Sequence, residues 1–436
     1  MSTKIFKNAG WMVGARVFQM FIGLIISTWT VRFLGPNNIG IIGYVDAFVS
    51  FSGAIAVLGL NNILIKELID HKDRQGTVLG TVLGMRLLAS ILCAVVTTCL
   101  IAHLNPGDHL MVIVSGILFT AQLFNSFEVF SYWYQSRLQS KVSSIIQTIT
   151  YVIMAVYRLY CLMTYKSVLW FAAASALEPF LIGVMLVYSY RSSPDSDRLC
   201  FEPVIGAGML SRSYHFIFSA LMISVYGQMD TIMIKSFLDT ESVGWYGTAL
   251  GVNAIWSFVL QAVIDSFYPA IVEAHKTDHE MYEKRIIQLY SLVFWMSICA
   301  SALITVLAKP IILILYGMEY YPSIACLRVC TWINTFAFLG VARGAWMVCE
   351  NNQVYQKYIL AEGAAVNLIL NYFWIQKFGM VGAAWATVVT QIITSTVGPL
   401  TFARTRINTY YILRALNPAV VLDLFGSVLK QRRGNA

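Results

Sequence analysis

Long apolar segments recur along this chain at the spacing of a membrane protein, and they constrain its fold more than any other feature. Twelve are readable, near 9–33, 38–65, 77–103, 109–134, 142–164, 168–190, 213–236, 243–270, 286–308, 322–347, 355–375 and 380–403. A helix needs about 20 apolar residues to cross the hydrocarbon core of a bilayer. Hydrophobic residues make up 58% of the 436 positions and charged residues only 12%. A water-soluble domain has no means of hiding that much apolar surface, whereas a bilayer requires it to be exposed. The expectation is an all-α polytopic membrane protein of about twelve transmembrane helices.

Loop charges give the orientation. With twelve spans both termini lie on one side, and the loops and tails of that side carry twenty of the lysines and arginines. The opposite loops hold Arg32, Lys166, Lys235, Lys309 and Lys377 alone. Basic residues accumulate in cytoplasmic loops, so both termini are expected in the cytoplasm. The net charge of +8 points by its placement to lipid headgroups rather than to nucleic acid. The start, Met1 to Lys7, resembles the basic region of a signal peptide. The apolar run behind it continues to about Leu34, too long for a signal core, and reads as an uncleaved first span.

The chain divides near its middle. The connection around 191–212 is the longest between spans and carries Pro194 and several charges. It reads as a cytoplasmic linker between six-helix bundles at 1–190 and 213–403, followed by a basic cytoplasmic tail over 404–436. That tail is expected either to lie along the inner leaflet as an amphipathic segment or to remain a plain tail. A repeat supports the division. Phe33-Leu34-Gly-Pro-Asn-Asn-Ile39-Gly40-Ile-Ile-Gly43 recurs as Phe237-Leu238-Asp-Thr-Glu-Ser-Val243-Gly244-Trp-Tyr-Gly247. Both copies open the second span of their half. Two six-helix bundles related by a pseudo-two-fold axis and facing a central cavity are the expected architecture, suited to alternating access. The row Gly76-xxx-Gly80-xxx-Gly84 reads as a close-packing surface for another helix.

Charges within spans cost several kcal/mol unless they meet water or partners, so they are the functional candidates. The basic set is Arg16, Arg86, Arg158, Arg328 and Arg343. Guanidinium groups suit bidentate, permanently charged contacts with phosphate, and the competing account is pairing with intramembrane carboxylates. Candidates for ion or proton coupling are Asp46, Glu128, Glu178, Asp230 and Asp265, with Glu178 preceding a helix-kinking Pro179 and Glu362 nearer a span end. The competing account is again structural pairing. Amides at Gln19, Gln122, Asn125, Gln147, Gln228, Asn253, Gln261, Asn334 and Asn367, and the tryptophans Trp256, Trp332, Trp346 and Trp385, suit a hydroxyl-rich cargo or serve as interhelical packing. Cys326 and Cys330 share a helical face, and no second Cys/His pair completes a zinc site. No metalloprotease, nucleotide-binding or serine-hydrolase motif occurs. Neither an enzymatic role nor a cofactor is expected.

Short motifs in this order resemble the Wzx-type flippases of O-antigen and other polysaccharide repeat units, in the polysaccharide transporter family of the MOP superfamily. They are Lys7-Asn8-Ala9-Gly10-Trp11, Phe33-Leu34-Gly35-Pro36-xx-Ile39-Gly40, Leu315-Tyr316-Gly317-xx-Tyr320 and Phe378-Gly379-Met-Val-Gly382-Ala383-Ala384. The resemblance implies a two-lobed transporter in the bacterial inner membrane. It implies movement of undecaprenyl-pyrophosphate-linked oligosaccharide from the cytoplasmic to the periplasmic leaflet, with membrane lipids, a polysaccharide polymerase and a chain-length regulator as partners. Two alternatives stand beside it: a cation-coupled multidrug exporter of the same superfamily, and a membrane-embedded polymerase or ligase. The latter would require a substantial extracytoplasmic loop, and the loops on that side are only a few residues long.

Overall fold

The computed structural model describes residues 2–423, with the side chains of Ile22 onward except Asn62. Among the described residues there is no strand. The chain forms two compact units, Met1–Gln228 and Met229–Ala436.

The first unit begins with α1 (Ser2–Ala56), which contains the first two expected spans as two arms. They meet at Gly35, whose φ of 72° and ψ of 168° lie in a region essentially reserved for glycine. Pro36 follows and removes the amide donor that would bridge the arms. Short α2 (Asn61–Asp70) leads to α3 (Gln75–Leu104), then α4 (His109–Asn125), a 3₁₀ turn at Ser126–Glu128 and α5 (Val129–Ser136). The unit continues with α6 (Ser140–Met163) and α7 (Val168–Arg191), and the first part of α8 (Pro203–Phe237) closes it. Its core is built on Leu60, Leu64, Val78, Leu79, Val82, Phe130, Trp133 and Tyr190.

The second unit takes the end of α8, then α9 (Thr240–Thr277), α10 (His279–Leu315), α11 (Ser323–Cys330), α12 (Ile333–Cys349), α13 (Gln353–Phe378), α14 (Met380–Ile392) and α15 (Arg406–Ala415). Asp108, Asp239 and Asp278 start α4, α9 and α10 by accepting hydrogen bonds from first-turn amides. Its core gathers Ile264, Ile271, Tyr282, Leu289, Tyr290, Trp346, Ile359 and Ile412.

Eleven stretches are long and apolar enough to cross a membrane among the described residues. The expectation was twelve. The difference arises where the first two arms run through Gly35 as one element, and every expected segment falls on a helix. Polarity is inverted relative to a soluble protein. On α3, Leu88, Leu92, Val95 and Val96 are 58–66% exposed, while Gln75, Arg86 and Ser90 are buried. This is a multi-pass membrane protein.

Two segments differ from their sequence reading. Residues 197–201 lie along the glycine row of α3, so the partner of that row is extended chain rather than a helix. Ideal Cβ atoms at Gly76 and Gly80 would collide with the carbonyl oxygens of Arg198 and Cys200. Thr81 Oγ1 accepts the Glu202 amide at 2.9 Å. Tyr190 Oη donates to the Asp197 carbonyl at 2.8 Å, and Arg137 pairs with Asp195 at 2.6 Å. The connection is therefore a strap fastened to the first unit. The start of the tail is likewise docked: Asn408, Tyr411, Ile412 and Ala415 of α15 are buried, Asn408 donates to Tyr290 Oη at 2.7 Å, and Tyr411 donates to Glu283 at 2.7 Å. The tail beyond Asp423 lies outside the described residues.

Candidate functional site

In the first unit, α3 carries Arg86 towards the break between α4 and α5. The 3₁₀ turn at Ser126–Glu128 replaces a regular helical turn there, and Ser126 Oγ meets Ser90 Oγ of α3 at 3.2 Å. Glu128 Oε2 stands 3.9 Å from Arg86 Nη2. The arginine side chain is only 3% exposed, against 48% for the glutamate. Arg86 Nη1 is buried without a hydrogen-bond partner. A buried guanidinium is stable when its donors are matched. Here one donor is unmatched and the carboxylate is at the outer limit of an ion pair, which leaves capacity for an additional acceptor such as a phosphate oxygen.

A second pair, Arg158 on α6 and Glu178 on α7, meets at 2.9 Å, each side chain about one quarter exposed. Glu178 directly precedes Pro179 inside α7. Two of the arginines read from the sequence are thus joined to two of the carboxylates.

In the second unit the polar centre is Asp230, 4% exposed on α8. Its Oδ2 accepts from Tyr246 Oη of α9 at 2.6 Å and also from Thr387 Oγ1 of α14. Its Oδ1 accepts from Asn371 Nδ2 of α13 at 2.5 Å, and Asn371 also donates to Asn367 Oδ1 at 2.9 Å. No ion pair joins Asp230 to a cation among the described residues. Asn371 Oδ1 is buried without a donor. A buried carboxylate surrounded only by neutral donors needs a proton or a small cation to balance its charge. Two buried thiols, Cys326 and Cys330, stand 3.5 Å apart on α11. No cluster of three or more His, Cys, Asp or Glu able to hold a metal occurs among the described residues.

Arg343 on α12 is 2% exposed and directed to protein. After α14 the helix widens into a π-turn at Ile393–Val397, which disturbs the regular carbonyl pairing. Arg343 Nη1 donates to the Thr394 carbonyl at 2.8 Å and the Ser395 carbonyl at 3.4 Å, and Nη2 reaches Gln356 at 3.3 Å. The remaining candidates are separate. Asp46 on α1, Asp265 on α9 and Arg328 on α11 are exposed. Asp265 accepts from Gln261 at 2.8 Å. Arg16 lies in α1, and its side chain is outside the described residues. Among the amides, Asn334 donates to the Asn253 side chain at 3.1 Å and Gln122 accepts from Ser52 at 2.6 Å.

Tyr246, Asn371 and Thr387 were not singled out in the sequence. One signal existed: Asn367 and Asn371 are four residues apart in an apolar span and therefore share a helical face.

The family model of the polysaccharide biosynthesis proteins matches residues 5–275. The chain belongs to that family. It is 24% identical over 412 residues to the probable flippase AglR of Haloferax volcanii, covering 90% of this chain and 82% of AglR. Solved structures of low identity share its fold, among them the following two. The lipid II flippase MurJ, in an inward closed conformation, superposes with a TM-score of 0.69 at 12% identity, covering 97% of this chain and 99% of MurJ. An inward-facing multidrug resistance MATE transporter of the MOP superfamily gives 0.68 at 12% identity, covering 91% and 96%. At such identity the likeness is one of fold. The expected kinship with polysaccharide export proteins is borne out at the level of the polysaccharide biosynthesis family, and the all-α, two-bundle architecture is borne out by the shared fold. The relative and the two structures are, by their own descriptions, flippases or transporters.

Proposed function

We propose that the protein flips a lipid-linked oligosaccharide across its membrane by alternating access. The observation that carries this reading is the family match over residues 5–275, extended along most of the chain by the likeness to a probable flippase. The finer assignment is an undecaprenyl-pyrophosphate-linked repeat unit of O-antigen or a similar polymer. It moves from the cytoplasmic to the periplasmic leaflet of a bacterial inner membrane, with both termini cytoplasmic. Basic loops on one side support that orientation. A polymerase and a chain-length regulator are the expected partners of such a step.

Within this reading Arg86 is the first contact for the pyrophosphate, because its unmatched Nη1 and distant carboxylate leave it able to accept an anion. Arg16, Arg158 and Arg328 are secondary contacts, Arg158 after release from Glu178. Arg343 serves by holding the π-turn after α14. Asp230 is the coupling carboxylate favoured among Asp46, Glu128, Glu178, Asp230 and Asp265, since it alone is enclosed by donors from three other helices. Asp46 and Asp265, exposed within spans, need water beside them.

The second reading, a cation-coupled multidrug exporter, is favoured by the likeness to the MATE fold. Deletion of the gene in its host separates the two. Loss of surface polymer with accumulation of the complete lipid-linked unit, reversed by a plasmid copy, supports the flippase. Persistence of polymer with increased susceptibility to small cationic compounds supports the exporter.

A further inference from the structure

A groove runs between α6 and α7 on the surface of the first unit, at the end where α6 begins and α7 finishes. Its volume is about 440 Å³, and its walls are Val142, Ile145 and Ile146 on one side and Val184, Met185 and Tyr188 on the other. Ile145, Val184 and Tyr188 are 37%, 50% and 73% exposed. Both helices have the length and composition of membrane spans, so the groove lies within an apolar layer and opens at its edge.

The edge is basic. Lys141 is one turn from Ile145 and Arg191 is three residues beyond Tyr188, so each shares a helical face with a wall of the groove and caps its mouth. Both are exposed. An apolar slot of ligand size under a pair of cations has the chemistry of an amphiphile with an anionic head.

We propose that the α6–α7 groove is a binding site for an anionic glycerophospholipid, with an acyl chain between Ile145 and Val184 and the phosphate between Lys141 and Arg191. The site is independent of the transported substrate. It adjoins the strap, because Ser189, which also lines the groove, bonds Tyr134 Oη at 2.6 Å and the neighbouring Tyr190 holds Asp197.

The test is native mass spectrometry of the full-length protein exchanged between phosphatidylglycerol and phosphatidylcholine. Two basic residues near a bilayer surface favour the anionic lipid by about thirty-fold. Lys141→Ala with Arg191→Ala is expected to abolish the preference while an acyl chain is still retained. Ile145→Trp with Val184→Trp is expected to remove the retained lipid, with the elution profile and melting temperature unchanged. Equal retention of the two lipids by the wild type overturns the proposal. So does a folded tryptophan variant that keeps its lipid. If the double tryptophan variant fails to fold, Ile145→Phe alone carries the test: a several-fold faster loss of phosphatidylglycerol is expected, and an unchanged rate overturns it.

Discussion

Replacement of Arg343 by methionine separates a structural arginine from a substrate-binding one. Its guanidinium is 2% exposed and donates to the Thr394 and Ser395 carbonyls and to Gln356. The 2.8 Å bond to Thr394 comes from a charged donor and is worth about 1.5–3 kcal/mol, and the longer contacts contribute less. Methionine fills much of the same volume and removes the cost of burying the charge, which offsets part of the loss. The carbonyls of the π-turn are then left without donors inside a span. The net destabilisation is about 2–4 kcal/mol. For a unit of about 200 residues that lowers the melting temperature by roughly 5–15 °C. Lysine keeps one charged donor without the planar fork and is expected to fall between the two. The assay is thermal unfolding of purified protein, with transport measured per folded molecule. Transport within about twofold of wild type accompanies the lower melting temperature if Arg343 acts through the π-turn. An unchanged melting temperature with transport abolished would refute the reasoning and make Arg343 a substrate contact.

Four further outcomes are expected. Asp230→Asn retains the fold and loses any dependence of transport on a proton or cation gradient, measured in vesicles. Asp230→Ala leaves Tyr246, Asn371 and Thr387 without an acceptor and destabilises the second unit by about 3–6 kcal/mol, read by thermal melting. Gly80→Leu drives a side chain into the Cys200 carbonyl, so trypsin cleaves at Arg198 faster than in the wild type, whereas Gly116→Ala, with open space around its Cβ, leaves the rate unchanged. The swap of Arg158→Glu with Glu178→Arg restores stability lost in either single variant, and it restores transport only if the pair serves the fold alone.

Much of the fold is legible in the chain because a bilayer imposes a length on every apolar segment. Gly35-Pro36 was readable as a break, since no other dipeptide combines a missing donor with a positive φ so readily. The site was legible as a set of residue types and not as pairs. Hydropathy places Arg86, Glu128, Arg158 and Glu178 in depth, yet which of them meet depends on how each helix is turned about its axis. The same holds for Asp230, whose cage draws on α9, α13 and α14 at once. The contact of Arg343 with the π-turn was not legible, because a π-turn leaves no mark in composition. The glycine row is a close-packing surface, but its partner is a strap fastened by the side chains of Thr81, Arg137 and Tyr190, a pairing that sequence patterns do not display. The docking of α15 rests on Asn408 finding Tyr290 across a large sequence separation, which no local rule supplies.

The most direct test of the central claim is flipping by the purified protein in proteoliposomes. A lipid-linked oligosaccharide is placed in the bilayer, and the fraction open to an externally added glycosidase is followed with time. With protein present, the protected pool is expected to become accessible, and Arg86→Ala to slow this about tenfold or more, as befits the loss of a charged contact to phosphate. A protected pool that stays protected, under every ion gradient supplied, would contradict the account.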